Sequence, residues 1–216
     1  MIVEPTADFE RTLHAGGAHY VIGCDEVGRG ALAGPVAVGM AVVDASVGAF
    51  PKGLRDSKLL SEPKREVLAP QCAAWAIHSA VGLASAAEVD ELGIMACLGL
   101  AGKRALQALH DSGIPIMDST LVLDGNYDYL SSALVTRPAI LTKIKADQTC
   151  ASVSAASVIA KVHRDRLMID LDARVPGYGW AGNKGYGSAA HRAAIAELGP
   201  SDFHRRTWLK QARSVD

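Results

Sequence analysis

Two closely spaced runs of β-branched residues limit what this chain can fold into. They read "HYVIGC" (19–24) and "PVAVGMAVV" (35–43), and a glycine-rich stretch separates them. Runs rich in Val and Ile that are bounded by glycine predict β-strands. A third run, "WAIHSAVGL" (75–83), follows, with only a short helix predicted before it. These three strands are therefore predicted to form an antiparallel meander.

Helical and extended patterns alternate in the rest of the chain. Helices are predicted at about 61–72, 94–110, 151–171 and 189–198, and further strands at 120–126 and 139–145. Each of these two strands follows a segment long enough for a crossover, so both can join the sheet in parallel. The sequence thus predicts an α/β fold with a mixed sheet flanked by helices. After a glycine-rich loop at 176–188, it predicts a helical, basic C-terminal portion.

The composition is that of one compact globular domain. The 216 residues are 49% hydrophobic and 21% charged, which excludes disorder as the main state. The uncharged apolar stretch 30–43 is too short to span a bilayer, and the chain start lacks the features of a signal peptide, so the expected compartment is the cytoplasm. The cysteines form no CxxC pair, which argues against a zinc ribbon and predicts four small buried side chains.

The net charge of −1 conceals an uneven distribution. Residues 1–160 hold 12 basic and 17 acidic residues, whereas residues 161–216 hold 10 and 6, so the C-terminal portion carries a charge of +4. A basic segment is the electrostatic signature of a protein that binds a phosphate backbone. An ordinary solvated surface has the same composition, so the charge alone does not decide between the two.

Acidic residues follow the apolar runs at the points where strands are predicted to end. Asp25 and Glu26 follow the first strand, Asp124 ends "TLVLD", and Asp147 precedes the long helix. Strand ends in an open α/β sheet are where ligand sites form, and oxygen-only ligands favour Mg²⁺ or Mn²⁺. A strand-terminal Asp is also a common turn former or helix cap. Since neighbouring strand residues face opposite sides, Asp25 and Glu26 can share a site only if the strand bends after Cys24.

Six stretches of the sequence, in order, resemble type 2 ribonuclease H, the bacterial ribonuclease HII. They are "GCDEVGRGALAGPVAVGMAVV" (23–43), "LRDSKLLSEPKRE" (54–66), "LVLDGN" (121–126), "KADQTCASVSAASVIAKVHRD" (145–165), "NKGYGSAAHRAAI" (183–195) and "HRRTW" (204–208). The resemblance implies a ribonuclease-H-like mixed five-stranded sheet in a single catalytic domain over residues 1–216. Its core would span about 18–170, and about 171–216 would form a substrate-binding extension.

The resemblance also implies an activity. It predicts an endonuclease that hydrolyses the RNA strand of RNA–DNA hybrids and incises duplex DNA on the 5′ side of a single ribonucleotide, leaving 5′-phosphate and 3′-hydroxyl ends. The expected cofactors are Mn²⁺ or Mg²⁺, two ions during catalysis. The expected partners are hybrid and ribonucleotide-containing duplex, with no membrane, and the chain is expected to act as a monomer in DNA replication and ribonucleotide excision repair.

The same resemblance assigns residues to roles. It makes Asp25, Glu26, Asp124 and Asp147 the catalytic metal ligands, Gly28, Arg29 and Gly30 the contact to the ribonucleotide 2′-hydroxyl, and Tyr186 the ring that packs on the following sugar. A 2′-hydroxyl is the local mark of RNA, and glycines let backbone groups approach it. These glycines would equally serve as a tight turn between strands, and Arg29 is either a phosphate clamp or a surface ion-pair partner.

Basic residues elsewhere are weaker candidates for phosphate contacts. They are Lys58, Lys184, Arg164, Arg205 and Arg206. Lys58 and Lys184 rank highest, because the first follows "RDS" in a predicted loop and the second lies beside Tyr186. Arg164 has the alternative of a helix-surface pair with Asp165. His163 and His204 are expected to be solvated or core histidines rather than proton donors, and Trp208 to be a docking aromatic.

Three classes of function fit these residues. The first is a divalent-metal endoribonuclease that uses water as the nucleophile. The second is another nuclease or strand-transfer enzyme on the same fold, which the Gly28–Gly30 segment and Tyr186 argue against. The third is a non-catalytic nucleic-acid-binding module, which the presence of all four acids argues against.

Overall fold

The computed structural model describes residues 4–211, and its centre is one five-stranded sheet. The strands are β1 (Tyr20–Val27), β2 (Val36–Val43), β3 (His78–Ala84), β4 (Ser119–Asp124) and β5 (Ala139–Lys143). Their order across the sheet is β3-β2-β1-β4-β5. β1, β2 and β3 pair antiparallel, whereas β4 pairs parallel with β1 and β5 parallel with β4. The predicted mixed sheet, with its meander and two crossovers, is therefore confirmed.

Helices cover both faces of the sheet and form the C-terminal portion. They are α1 (Asp8–Ala15), α2 (Glu62–Trp75), α3 (Ala86–Leu92), α4 (Ile94–Asp111), α5 (Ala146–Thr149), α6 (Ala151–Arg174), α7 (Trp180–Asn183), α8 (Ala189–Leu198) and α9 (Arg206–Gln211). The four predicted helices correspond to α2, α4, α6 and α8. The predicted domain of residues 1–216 includes 1–3 and 212–216, which lie outside the described residues.

The core forms two layers, one on each face of the sheet. Alternate residues of β2, such as Val38 and Met40, pack with α4 on one face, while Ala41 packs with α2 and α6 on the other. Because helices cover both faces, β2 is buried along its whole length, which explains its unbroken apolar sequence. All four cysteines are free and buried, as predicted.

The first half of α6 approaches the sheet closely because both surfaces are made of small residues. A Cβ at Gly23 of β1 would overlap the backbone of Ser152 and Val153, so only glycine fits there. Glu10 of α1 is buried, and its carboxylate accepts bonds from the Ser152 N–H at 2.8 Å and hydroxyl at 2.7 Å. These contacts fix where α6 begins, and they thereby position the residues that precede it.

The C-terminal portion packs against the segment between β1 and β2. The N–H of Gly34 donates to the Phe203 carbonyl at 2.8 Å, and the N–H of Arg205 donates to the Leu32 carbonyl at 2.8 Å. Asp90 of α3 accepts bonds from the first N–H groups of α9, at 2.7 and 3.0 Å, which fixes that helix to the sheet domain. Among residues 4–211 there is no helix of the length and apolarity needed to cross a membrane.

Candidate active site

Three of the predicted acids lie at one edge of the sheet. The parallel ladder between β1 and β4 brings two of them there, and α5 supplies the third. Cys24 pairs with Leu123, so Asp25 and Asp124 are the next residues along two neighbouring strands. Asp147 lies in the first turn of α5, where its N–H donates to Asp124 Oδ1 at 3.3 Å. Asp147 is thus inside a helical turn rather than its cap, and its position depends on Asp124.

Glu26 reaches this edge differently from Asp25. β1 does not end at Cys24 but stays in register with β2 through Val27, so these two acids leave the strand on opposite faces. The N–H of Glu26 donates to Asp25 Oδ1 at 2.8 Å, and Glu26 Oε1 lies 3.7 Å from Arg29 Nη1. The two carboxylates therefore flank the end of the strand, and the charge of Asp124 acts on both of them. The expectation that a shared site needs the strand to bend after Cys24 is thus wrong, because both acids reach the cluster from a strand that stays paired.

Burial and mutual repulsion raise the pKa of three carboxyl groups in this cluster, those of Asp25, Glu26 and Asp147. Burial raises the pKa of Asp25 to about 8, and the charges of Glu26 and Asp124 add to the effect while Ser157 and Lys58 oppose it. Burial likewise raises the pKa of Glu26 and of Asp147, with Asp124 again contributing to both. Crowded carboxylates of this kind need positive charge to become ionised.

Lys58 supplies part of that charge. Its ammonium lies 3.4 Å from Asp147 Oδ2 and is exposed on its other side. Burial lowers the pKa of this ammonium, but attraction to Asp25, Asp56 and Asp147 outweighs that effect and the pKa is raised. Lys58 therefore lies at the acidic cluster with its charge accessible from solvent.

Asp56 is a fifth acid at the cluster that the sequence analysis missed. It is buried, its Oδ1 accepts a bond from the Lys58 N–H at 3.0 Å, and it raises the pKa of Asp147. It begins a short 3-10 turn at Ser57–Leu59 that presents Lys58 to the site. From the sequence, an Asp before a turn is expected only to cap that turn. Its burial beside Asp147 shows that Asp56 also belongs to the acidic cluster.

The residues at this edge fit a divalent cation by their chemistry. Four carboxylates offer only oxygen ligands, and the raised pKa values of Asp25, Glu26 and Asp147 mean that a cation would relieve repulsion already present. In the part of the chain that the structure describes, no three His, Cys, Asp or Glu side chains are yet close enough to hold a metal ion. The side chains would therefore have to turn toward one another around the ion.

The segment that follows β1 exposes backbone groups beside the acids. Arg29 and Gly30 are exposed, whereas residues 31–35 are buried. Within residues 4–211 the N–H groups of Arg29 and Gly30 donate no hydrogen bond, and the Gly30 carbonyl accepts none. Gly28 has a φ of +81°, in the left-handed region that favours glycine, and its N–H donates to the Tyr186 hydroxyl at 3.2 Å. Tyr186 and the predicted ribose-contact segment are therefore neighbours.

Tyr186 and Lys184 lie on the glycine-rich loop, but only one of them is accessible. The Tyr186 ring is half-buried, with Lys161 Nζ 5.5 Å from its centroid and Arg164 Cζ 5.4 Å away. Lys184 is only 6% exposed, and its ammonium contacts the Ala181 carbonyl and Glu62, the latter at 3.4 Å. In this structure the charge of Lys184 serves an internal contact, and it does not reach the surface as a predicted phosphate ligand would.

Arg164 does not have the predicted role of a phosphate contact. It is fully buried, and its guanidinium donates to the carbonyls of Pro35, Lys184 and Ala33 at 2.8, 2.8 and 3.0 Å. The alternative of a surface pair with Asp165 is also wrong, because Asp165 pairs with Lys161 at 2.8 Å and Arg65 at 3.7 Å. A sequence cannot distinguish an arginine that binds carbonyls in the interior from one that binds phosphate outside.

The remaining candidates near the C-terminus are mostly structural. Arg205 is fully buried and binds backbone carbonyls, with its guanidinium 4.9 Å from the ring centroid of Trp208. Trp208 packs against the core, as expected of a docking aromatic. His204 is buried, His163 is exposed, and Arg206 pairs with Asp202 at 2.8 Å on the surface. The prediction of a core or solvated environment for the two histidines is thus confirmed.

A mixed sheet in the order β3-β2-β1-β4-β5, with acids at the end of its central parallel pair, defines a hydrolase with the ribonuclease H fold. The profile of the family described as Ribonuclease HII matches residues 22–211. The chain belongs to the ribonuclease HII family, and it is therefore an endoribonuclease that acts on RNA–DNA hybrids.

Individual relatives agree with this assignment. The chain is 47% identical over 205 residues to a ribonuclease HII from Streptomyces avermitilis, covering 94% of this chain and 83% of that protein. The crystal structure of a ribonuclease H2 from Pyrococcus horikoshii superposes with a TM-score of 0.69 at 29% identity, over 88% of this chain and 93% of that one. Bst-RNase HIII in complex with Mn²⁺ superposes with a TM-score of 0.64 at 24% identity, over 85% of this chain and 71% of that one.

Proposed function

We propose that this ribonuclease HII cuts duplex DNA on the 5′ side of a single embedded ribonucleotide, as well as the RNA strand of hybrids, and leaves 5′-phosphate and 3′-hydroxyl ends. The observation that carries this proposal is the pair of exposed, unbonded N–H groups at Arg29 and Gly30 beside the acidic cluster. They can read one ribose at the place where the carboxylates can act on the adjacent phosphate.

The exposed backbone groups match the chemistry of a 2′-hydroxyl. This group both donates and accepts hydrogen bonds, and it is what distinguishes RNA from DNA locally. The N–H groups of Arg29 and Gly30 can donate to its oxygen, and the Gly30 carbonyl can accept its proton. Gly30 has no atom within 4 Å of the place where a Cβ would lie, so the approach from solvent is open.

The four acids Asp25, Glu26, Asp124 and Asp147 would hold the catalytic cations. When bound, two divalent ions would activate a water molecule and stabilise the leaving oxygen of the phosphodiester. Asp124 is the residue that connects the group, since it neighbours Asp25 across the ladder and accepts the N–H of Asp147. The Mn²⁺ in the complex of the similarly folded ribonuclease HIII supports a divalent ion, and we propose Mg²⁺ or Mn²⁺ here.

Three side chains would position the nucleic acid around this centre. Lys58 has an exposed ammonium at the cluster and would contact the scissile phosphate. Arg29 is exposed beside Glu26 and would clamp a neighbouring phosphate, and Tyr186 would pack on the sugar after the ribonucleotide. Because Tyr186 lies beyond α6, we propose that residues from about 171 onward form a substrate-binding extension of one catalytic domain.

A cleavage assay on three otherwise identical substrates tests the proposal. The substrates are an RNA–DNA hybrid, a duplex DNA with one ribonucleotide and an all-DNA duplex, each in Mg²⁺, Mn²⁺ or EDTA. We expect cutting of the first two with either ion, a single cut 5′ to the ribonucleotide, and no cutting of the third. Equal cutting of both DNA duplexes would refute ribose recognition, and no cutting with either ion would leave only a binding role.

The cellular setting belongs to the same proposal. An enzyme with this specificity would act as a monomer in the cytoplasm, removing ribonucleotides left in DNA during replication and initiating their excision repair. The basic C-terminal portion, with 10 basic and 6 acidic residues over 161–216, supports contact with a nucleic-acid backbone on that side.

A further inference from the structure

The carbonyl groups of the segment after β1 point into the protein, where two buried arginines bind them. Arg205 Nη2 donates to the carbonyls of Gly28 at 2.7 Å and Gly34 at 3.2 Å, and its Nη1 donates to the carbonyl of Arg29 at 2.8 Å. Arg164 binds the base of the same segment, at Ala33 and Pro35. The segment is thus fixed from inside by guanidinium groups.

The contacts of Arg205 fix the direction of the two groups proposed to read the ribose. In a trans peptide, the carbonyl of one residue and the N–H of the next lie in one plane and point in opposite directions. The described chain contains no cis peptide bond. By holding the Gly28 and Arg29 carbonyls inward, Arg205 therefore turns the N–H groups of Arg29 and Gly30 outward, toward the surface where they are free.

The guanidinium is suited to this task in a way that lysine is not. Its planar fork presents donors in fixed directions, so one side chain can set two successive peptide planes at once, whereas an ammonium is a compact point charge on a flexible stem. Arg205 is fully buried and rests on the Trp208 ring at 4.9 Å. Within residues 4–211 it makes no ion pair, so its partners are the carbonyls of this segment.

We propose that Arg205 is a positioning residue for ribose recognition, which sets the peptide planes of Gly28–Arg29 and Arg29–Gly30 so that their N–H groups meet a 2′-hydroxyl. This inference rests on the proposed function, since it deepens the ribose readout described above. It gives Arg205, the first arginine of the C-terminal "HRRTW" stretch, a part in specificity, although its side chain does not reach the substrate.

The test compares the binding of two duplexes by the full-length protein. Affinity for a duplex with one ribonucleotide and for the matching all-DNA duplex is measured in Ca²⁺ by fluorescence anisotropy, with a gel to confirm that both stay intact. The readout is the dissociation constant for the all-DNA duplex divided by the dissociation constant for the ribonucleotide duplex, so a larger ratio means a stronger preference for the ribonucleotide. Arg205→Lys keeps the charge but loses the planar fork, and we expect its ratio to fall about tenfold, mainly through weaker binding of the ribonucleotide duplex.

Two further variants separate positioning from stability. Arg164→Lys removes an equally buried guanidinium that does not bind the Gly28 or Arg29 carbonyl, so it should lower the unfolding temperature but change the ratio less than Arg205→Lys. Arg206→Gln removes the adjacent exposed charge and should leave the ratio unchanged. If Arg205→Lys does not fold, Trp208→Leu, which removes the ring beneath the guanidinium and keeps an apolar side chain against the core, should lower the ratio in a milder form.

The outcomes distinguish this inference from the proposed function. A wild-type ratio of one would overturn ribose recognition and the role of Arg205 together. A wild-type preference that persists unchanged in folded Arg205→Lys and Trp208→Leu proteins would overturn the role of Arg205 alone. A selective fall of the ratio in these variants, with Arg206→Gln unchanged, supports it.

Discussion

Asp124 is the residue on which the acidic cluster depends. It stands next to Asp25 across the β1–β4 ladder, its Oδ1 accepts the N–H of Asp147, and its charge raises the pKa of Asp25, Glu26 and Asp147. An uncharged side chain of the same shape at this position would leave the fold intact but weaken the attraction for cations. Asp124 is therefore the carboxylate that contacts or acts on each of the other three.

We predict that Asp124→Asn lowers the rate of hybrid cleavage by more than 100-fold while binding of the hybrid survives. The loss should exceed the roughly 10–100-fold typical of groups that only support metal ligands, because a ligand charge is removed. Asp118→Asn makes the same change at an exposed position just before β4 begins, far from the acidic cluster along that strand, and should cleave normally. Unchanged turnover in Asp124→Asn would show that the catalytic centre lies elsewhere.

We also predict that metal affinity rises with pH through the neutral range. The pKa of Asp25 is about 8, above its ordinary value of 3.8, so near neutral pH a cation must displace a proton from it. Below that pKa, the apparent Mg²⁺ affinity should rise about tenfold per pH unit for the one proton released, and it should level off above it. Calorimetric Mg²⁺ titrations between pH 6 and 9 measure this, and an affinity independent of pH would contradict the assignment.

At the scale of secondary structure, the periodicity of the sequence was sufficient for the sheet and the long helices. The strands β1, β2 and β4 are largely buried apolar runs and the helices α4 and α6 are long, so their patterns are clear. Helices α1 and α3 were not predicted. Each is only seven or eight residues long. α1 is fixed by the contact of Glu10 with Ser152, which forms only in the folded chain, whereas α3 begins with the Ser85–Glu88 capping box, a local sequence signal that was overlooked.

The strand-end argument located Asp25, Asp124 and Asp147, because parallel neighbours bring their carboxyl ends together. It could not foresee the buried arginines. Arg164 and Arg205 have the sequence signature of phosphate ligands, and only the fold shows that backbone carbonyls surround them. The same limit applies to Asp56, whose burial beside Asp147 is a tertiary effect.

The close contact of α6 with β1 gives a prediction at this scale. Gly23→Ala should lower the free energy of unfolding by about 1–3 kcal/mol or more, because its Cβ would overlap the backbone of α6. That backbone cannot move away without disturbing Asp147, which precedes it. Gly48→Ala adds the same atom in open space on an exposed loop and should change stability by less than about 0.5 kcal/mol. Urea unfolding measures both, and equal stabilities would show that α6 does not require this glycine.

At the scale of the whole molecule, the C-terminal portion holds Tyr186, which is proposed to contact the substrate, in place through a hydrogen-bond network. A chain of contacts runs from Ser201 through His204 and His191 to the Tyr186 backbone. The Ser201 N–H donates to His204 Nδ1 at 3.0 Å, the two histidine Nε2 atoms are 3.1 Å apart, and His191 Nδ1 is 2.9 Å from the Tyr186 carbonyl. The Trp180 indole also donates to His191, at 3.0 Å. These bonds require both rings to be neutral.

This arrangement predicts that acid weakens the docking of the C-terminal portion. Burial lowers the pKa of His204 from 6.5 to about 4, and the neighbouring His191 adds to the effect. The unfolded chain binds this proton at a higher pH than the folded chain does. The free energy of unfolding therefore falls as pH drops from about 6.5 to about 4, by at most about 3 kcal/mol. Urea unfolding at pH 7.5, 6 and 4.5 should show a steeper loss in wild type than in His204→Gln. Parallel curves would contradict a neutral, buried His204.

The proposed activity requires four acids distant along the chain, Asp25, Glu26, Asp124 and Asp147, to gather around divalent cations. A crystal structure of the protein grown with Mn²⁺, with an anomalous difference map recorded for that ion, tests it most directly. We expect an anomalous peak at the end of β1 and β4 with Asp124 among its ligands and the other three carboxylates turned toward it. A peak elsewhere, or none at this edge when Mn²⁺ supports cleavage, would contradict it.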